Sequence, residues 1–221
     1  FWRRVVVQSD NDFSTFLLAK KQTPEALLQS IRQLVGKPYL QIQPLPEVDT
    51  LNAKQAANQL FENIQQLWQQ HRNDYIAMLN NKKILSGKKY RADWVASWVG
   101  MLENLLSESG LPSSVFEQFD RFTMERLQDA LVAGQDLPYP EFWQACEDSY
   151  QAFCDYQNQN ALALQRLRLQ LLSFIREQLP QQKIQQQVQS YDDLLINLSQ
   201  ALQGPQGEWL VSRLREQFKA A

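Results

Sequence analysis

Apolar residues recur along this chain at intervals of three and four, and strict alternation never persists for long. That is the signature of amphipathic helices rather than strands. Asp12 to Ala19 reads as a short helix. Thr23-Pro24-Glu25 is a start signal, with a capping hydroxyl, a proline at the first helical position and an acid at the positive helix end. Leu27, Leu28, Ile31, Leu34 and Val35 then form one face, and Gly36 closes it. Pro38, Pro44 and Pro46 make Lys37 to Val48 an extended connector. Asp49 or Thr50 opens a long helix whose stripe runs Leu60, Ile64, Leu67, Trp68, His71, Tyr75, Met78 and Leu79, and Asn80-Asn81 ends it.

Lys82 to Lys89 is a basic loop to which Ser86 and Gly87 lend freedom. Arg91 to Leu106 is the next amphipathic helix, carrying Trp94, Val95, Trp98, Met101, Leu102 and Leu105. Val115 to Phe119 and Met124 to Ala133 are shorter helical pieces. Leu137-Pro138-Tyr139-Pro140 leads into the longest helix, Glu141 to Leu179, roughly 55–60 Å at 1.5 Å per residue. Such a rod suits an elongated arm. Pro180 is expected to break or kink it, and the polar run Gln181 to Gln189 is open to helix or loop. Ser190 caps Tyr191 to Leu202, Gly204-Pro205 stops that helix, and Glu208 to Phe218 places Trp209, Leu210, Leu214 and Phe218 on one side. The expected class is all-α, with one very long helix and no sheet.

Composition narrows the chemistry. The chain has 221 residues, 44% of them hydrophobic and 21% charged, which excludes collagen-like, disulfide-scaffold and wholly disordered classes. Basic residues number 22 and acidic residues 24, so any hold on a polyanion must be local. Cys146 and Cys154, if helical, lie about 12 Å apart, too far for a disulfide, and reduced thiols suit a cytosolic protein. No apolar run is long enough for a membrane span. The opening Phe1-Trp2-Arg3-Arg4, without methionine, fits a processed protein or a segment of something longer, and the mildly apolar ending Phe218-Lys219-Ala220-Ala221 favours the segment. There is no phosphate-binding glycine loop, no Cys-x-x-Cys, and a single histidine, His71. We therefore expect no catalytic residue and no metal site in this segment.

One feature suits binding. Lys82, Lys83, Lys88, Lys89 and Arg91 fall within ten residues, beside Tyr90 and Trp94. Flexible cations next to an aromatic can hold phosphate and stack on a base or sugar. Arg166 and Arg168 form a weaker basic strip on the long helix, and Lys20-Lys21 a weaker one still. The acidic pair Asp192-Asp193 has the spacing of helix-start acids. An alternative use of the same surface is a groove at Trp94 and Trp98 for a protein partner.

The stretch Tyr191-Asp192-Asp193-Leu194-Leu195 resembles the [FY]-D-D-[LM]-L helix of UvrD-like superfamily-1 helicases. Gly207-Glu208-Trp209-Leu210 and Arg213-Leu214-Arg215-Glu216-Gln217-Phe218 resemble the stretch that follows in the RecB-type beta subunits of exodeoxyribonuclease V. Phe1-Trp2-Arg3-Arg4, Pro24-Glu25-Ala26-Leu27-Leu28 with Ile31, and Arg91-Ala92-Asp93-Trp94-Val95 are similar to elements of that family's helical insertion. The resemblance implies that residues 1–189 are the 1B subdomain and 190–221 a short return of the first motor domain. Tyr191, Asp192, Asp193 and Leu194 would then be structural signature residues. It also implies a DNA-contacting, non-catalytic role within a parent 3′→5′ helicase and nuclease of the bacterial cytoplasm. That parent uses ATP and Mg at sites outside these residues and works with RecC and RecD in double-strand-break repair.

Overall fold

The computed structural model describes residues 1–3, 11–37, 40–189 and 191–218, so the expected Ser190 cap and Pro38 lie outside the described residues. The fold is all-α: no strand forms among the described residues, and Leu85 and Leu131 make only an isolated bridge. The helices are α1 (Asn11–Ala19), α2 (Pro24–Val35), α3 (Thr50–Leu79), α4 (Ala92–Leu106), a 3-10 helix (Glu117–Phe122), α5 (Met124–Ala130), α6 (Pro140–Gln186), α7 (Tyr191–Gln203) and α8 (Gly207–Phe218). The chain divides into two compact units, Leu45–Leu164 on the one hand and Phe1–Pro44 with Gln165–Ala221 on the other.

The central unit has a continuous core. From α3 it takes Phe61, Ile64, Trp68, Tyr75, Met78 and Leu79, and from α4 Val95, Val99, Leu102, Leu105 and Leu106. Phe119 and Phe122 of the 3-10 helix, Leu127 of α5, and Phe142, Trp143 and Cys146 of α6 join it, as do Leu85 and Tyr90 from the segment between α3 and α4. Asp49 caps α3 by accepting the Asn52 N–H at 3.0 Å. The stripe expected along α3 fails at His71. Its backbone departs from helical angles (φ −129°, ψ 25°), and the side chain is turned out to solvent, 3.5 Å from Asp74. Beyond that kink Tyr75 stacks face to face on Phe142, with ring centroids 4.0 Å apart. Gln65 of α3 donates to the free carbonyls of Leu106 (2.9 Å) and Glu108 (3.1 Å), satisfying the end of α4. The indole N–H of buried Trp143 donates to the Pro138 carbonyl at 2.7 Å. Cys146 is fully buried, which pushes its thiol pKa well up, and both cysteines are free thiols.

The other unit has a smaller core, with Leu17, Leu27, Ile31, Leu167 and Leu172 buried. Thr23 caps α2 by accepting the Ala26 N–H at 3.1 Å, as its position implies. Arg176 answers from α6, donating to the carbonyl of Leu34 (3.2 Å) in the last turn of α2 and to those of Lys37 (2.8 Å) and Leu40 (3.4 Å) beyond it. Pro180 does not end α6, which runs on to Gln186. Proline removes one backbone donor, and here the helix continues past that single loss. It stops where Gln187 turns left-handed (φ 54°), with the Val188 N–H donating to Lys183 at 3.1 Å and the Gln187 N–H to Ile184 at 3.2 Å. Asp193 of α7 takes Lys183 Nζ at 2.7 Å through both carboxylate oxygens. The α7–α8 turn depends on Gly207, because a Cβ there would overlap the carbonyl oxygen of Leu202. The clash is with backbone, so no rotamer change relieves it.

Gly207→Ala is expected to force the α7–α8 turn open at a cost of about 1–3 kcal/mol. Limited proteolysis should then cut between residues 203 and 207 faster than in the parent protein. An unchanged cleavage rate would show that the close approach at Gly207 is not a constraint.

Candidate nucleic-acid interface

The basic loop follows directly from the end of α3. Asn80 folds back to donate from Nδ2 to the Ile76 carbonyl at 2.9 Å. Asn81 Oδ1 accepts the Lys83 N–H at 3.0 Å, which makes a tight turn that leaves Lys82 and Lys83 exposed. Leu85 then plunges into the core. On either side of it the backbone is tied to the end of α5. The Ser86 N–H donates to Ala130 and the Val132 N–H to Ile84, both at 2.9 Å. The freedom expected of Ser86 and Gly87 is therefore withdrawn: the loop is a seated platform.

The loop residues nominated by the sequence separate into different roles. Tyr90 is a correction. It is 4% exposed, its ring stands edge-on to Trp98, and its hydroxyl donates to the Arg121 carbonyl at 2.8 Å, so it cannot stack on a base. Burial pushes the Tyr90 hydroxyl pKa up. Lys89 is clasped: its Nζ donates to Asp129 Oδ2 at 2.6 Å and to the Asp129 carbonyl at 2.7 Å. The hydrogen bond from Lys89, and then its charge, hold the Asp129 carboxyl below its ordinary pKa. Asp129 lies 40 residues away in sequence, where nothing local announces the partnership.

Lys82, Lys83 and Lys88 are exposed, and their side chains make no hydrogen bond or ion pair with the described residues. Lys82, Gly87, Lys88, Arg91, Ala92, Asp93 and Trp94 line an open recess of about 600 Å³. Arg91 lies over the Trp94 ring, 4.9 Å from its centroid, and pairs with Asp93 at 3.3 Å. Trp94 is 43% exposed and sits beside Trp98. Arg91 also occupies the N-cap of α4, where no side chain caps the first-turn N–H groups. Three cations thus face one carboxylate around an accessible indole.

Arg166 and Arg168 belong to the other unit. Arg166 is exposed, whereas Arg168 is half-buried and donates from Nη2 to Gln22 Oε1 at 3.3 Å. Of the signature residues, Tyr191 is 75% exposed, Leu194 is exposed, and Asp193 holds Lys183, while the Asp192 side chain lies outside the described part of the structure. Tyr191, Leu194, Leu195 and Leu198 on α7 and Trp209 and Phe218 on α8 leave a run of large apolar side chains exposed.

No family model matches the chain. Across 223 aligned residues it is 24% identical to the RecBCD enzyme subunit RecB of Escherichia coli K12. The chain is similar to a segment of RecB. The alignment takes in the whole chain and 18% of that relative's length, so the chain spans less than a fifth of RecB. This agrees with the resemblance carried by Tyr191–Leu202 and Gly207–Phe218. No described helix is long and apolar enough to cross a membrane.

The clasp makes a prediction of its own. Asp129→Ala should leave global stability nearly unchanged, as for an exposed, solvent-screened ion pair. It should nevertheless speed hydrogen exchange at the Ser86 and Val132 amides. Because the Asp129 pKa is lowered on folding, its contribution is present above the ordinary aspartate pKa and lost as pH falls through the lowered value. Acidification should therefore reproduce the exchange effect in the parent protein and not in the variant. Unchanged exchange in the variant would show that the clasp does not hold the loop.

Proposed function

We propose that the chain is a non-catalytic, DNA-contacting helical subdomain of a RecB-like subunit. The observation that carries this reading is the recess on the basic loop, where Lys82, Lys88 and Arg91 meet Trp94 on a chain whose net charge is −2. Against a net negative background, a local cluster of accessible cations is suited to a polyanion, and its contacts would be electrostatic and indifferent to sequence. The similarity to RecB over the full chain supports the assignment to a RecBCD-type machine. In this reading residues 1–189 form the 1B insertion and residues 190–221 a return of the first motor domain. ATP and Mg act elsewhere in the parent, RecC and RecD are its partners, and its place is the bacterial cytoplasm.

The exposed apolar residues of α7 and α8 support the same reading, since single-domain surfaces rarely leave such a run uncovered. A motor domain packed on Leu194, Leu198 and Trp209 would cover them. The second reading, a free-standing protein-interaction module, draws on the same exposed face and on Trp94. Salt dependence separates the two, because apolar docking does not release counterions.

Titration with a fluorescent blunt duplex at several salt concentrations is the test. Binding should be weak and fall steeply with salt. Replacing Lys82, Lys88 and Arg91 by Ala should flatten the dependence by roughly 0.9 in log–log slope for each phosphate that is no longer neutralised. Lys89→Ala, which removes a clasped cation, should flatten it less. A slope indifferent to the triple replacement would remove the recess as the contact site, and salt-independent binding would favour the interaction module.

A further inference from the structure

We propose that the recess takes one unpaired nucleotide, with its phosphate among Lys82, Lys88 and Arg91 and its base on the Trp94 indole. This rests on the DNA-contact reading and specifies which form of DNA the site prefers. Trp94 is the residue that decides it. It is the one large aromatic of the basic loop region left accessible, since Tyr90 is buried and Trp98 half-buried. It lines the same recess as the three cations. A cluster built only for the outer phosphates of a duplex needs no aromatic, because the bases there are stacked and their faces covered. The part of the indole that Arg91 leaves accessible can stack on a base face only where that base has left its own stack.

The local chemistry fits both halves of a nucleotide. The recess, at about 600 Å³, has the size of a small-ligand pocket. The Arg91 guanidinium rests against the indole, 4.9 Å from the ring centroid. A guanidinium held this way loses less freedom on meeting a phosphate. The stem of Lys82 runs along the loop within 3.8 Å of the place a Cβ would take at Gly87. The Asp93 carboxylate is the opposing charge in the wall, paired with Arg91 at 3.3 Å. It limits affinity and gives the site a second, independent handle.

The experiment uses the 221-residue chain with its six tryptophans replaced by 5-fluorotryptophan, read by fluorine NMR. Trp94→Phe identifies the resonance of Trp94, and the others report that the fold is intact. The probes are a short oligothymidylate and a blunt hairpin duplex at equal phosphate concentration. We expect the Trp94 resonance to move with the single strand far more than with the duplex. Trp94→Ala should weaken oligothymidylate binding roughly tenfold and duplex binding markedly less. Asp93→Asn should tighten both. If the oligothymidylate binds and the Trp94 resonance stays in place, or if Trp94→Ala weakens both probes equally, the nucleotide site is overturned and general DNA contact stands. If neither probe binds at low salt, the DNA reading falls as well.

Discussion

Two backbone hydrogen bonds, Ser86 to Ala130 and Val132 to Ile84, hold the turn after α3 against the end of α5. With Leu85 and Tyr90 buried on either side of Ser86, they decide which of the neighbouring side chains reach solvent. The two apolar anchors stand close together in the chain, and the lysines between and before them have no route inward. Burial of the anchors is worth about 1.5–3 kcal/mol for each large apolar side chain, more than the rim ion pairs supply. The placement of charge on this loop is thus a by-product of hydrophobic anchoring, and the Lys89–Asp129 ion pair then offsets one of its cations.

The same balance explains why the two compact units differ. The central unit buries a connected set of aromatic and aliphatic side chains from α3, α4, the 3-10 helix, α5 and α6. The other buries few, and its α7 and α8 keep Tyr191, Leu195, Trp209 and Phe218 at the surface, with Trp209 64% exposed. Exposed apolar side chains of this size gain free energy once covered. The motor-domain packing proposed above would supply such a cover.

What the sequence conveyed depended on how local the cause was. The caps at Thr23 and Asp49 were readable because the capping side chain and the N–H it accepts lie three residues apart. The all-α class and the long α6 followed from periodicity. Of the break or kink expected at Pro180, the break does not occur, because proline's cost is a single missing bond and a local clash, and a helix with turns on both sides can continue past it. The true stop, Gln187, carries no glycine to announce its left-handed backbone. The kink at His71 has no proline or glycine either. Tyr90 and Lys89 look like their neighbours in a basic run, and only the arrival of Arg121 and Asp129 from 31 and 40 residues away separates them from Lys88. Gly207 was visible as part of a family-like motif, whereas its reason, the Leu202 carbonyl, is a matter of tertiary distance.

Everything proposed for the basic loop depends on its division into clasped and free cations, and lysine acetylation footprinting with and without DNA reads that division residue by residue. Lys82 and Lys88 should react rapidly in the free protein and be protected by DNA. Lys89, bound to Asp129, should react slowly in both states. Rapid acetylation of Lys89 in the free protein, or no protection of Lys82 and Lys88 under conditions where DNA is bound, would contradict it.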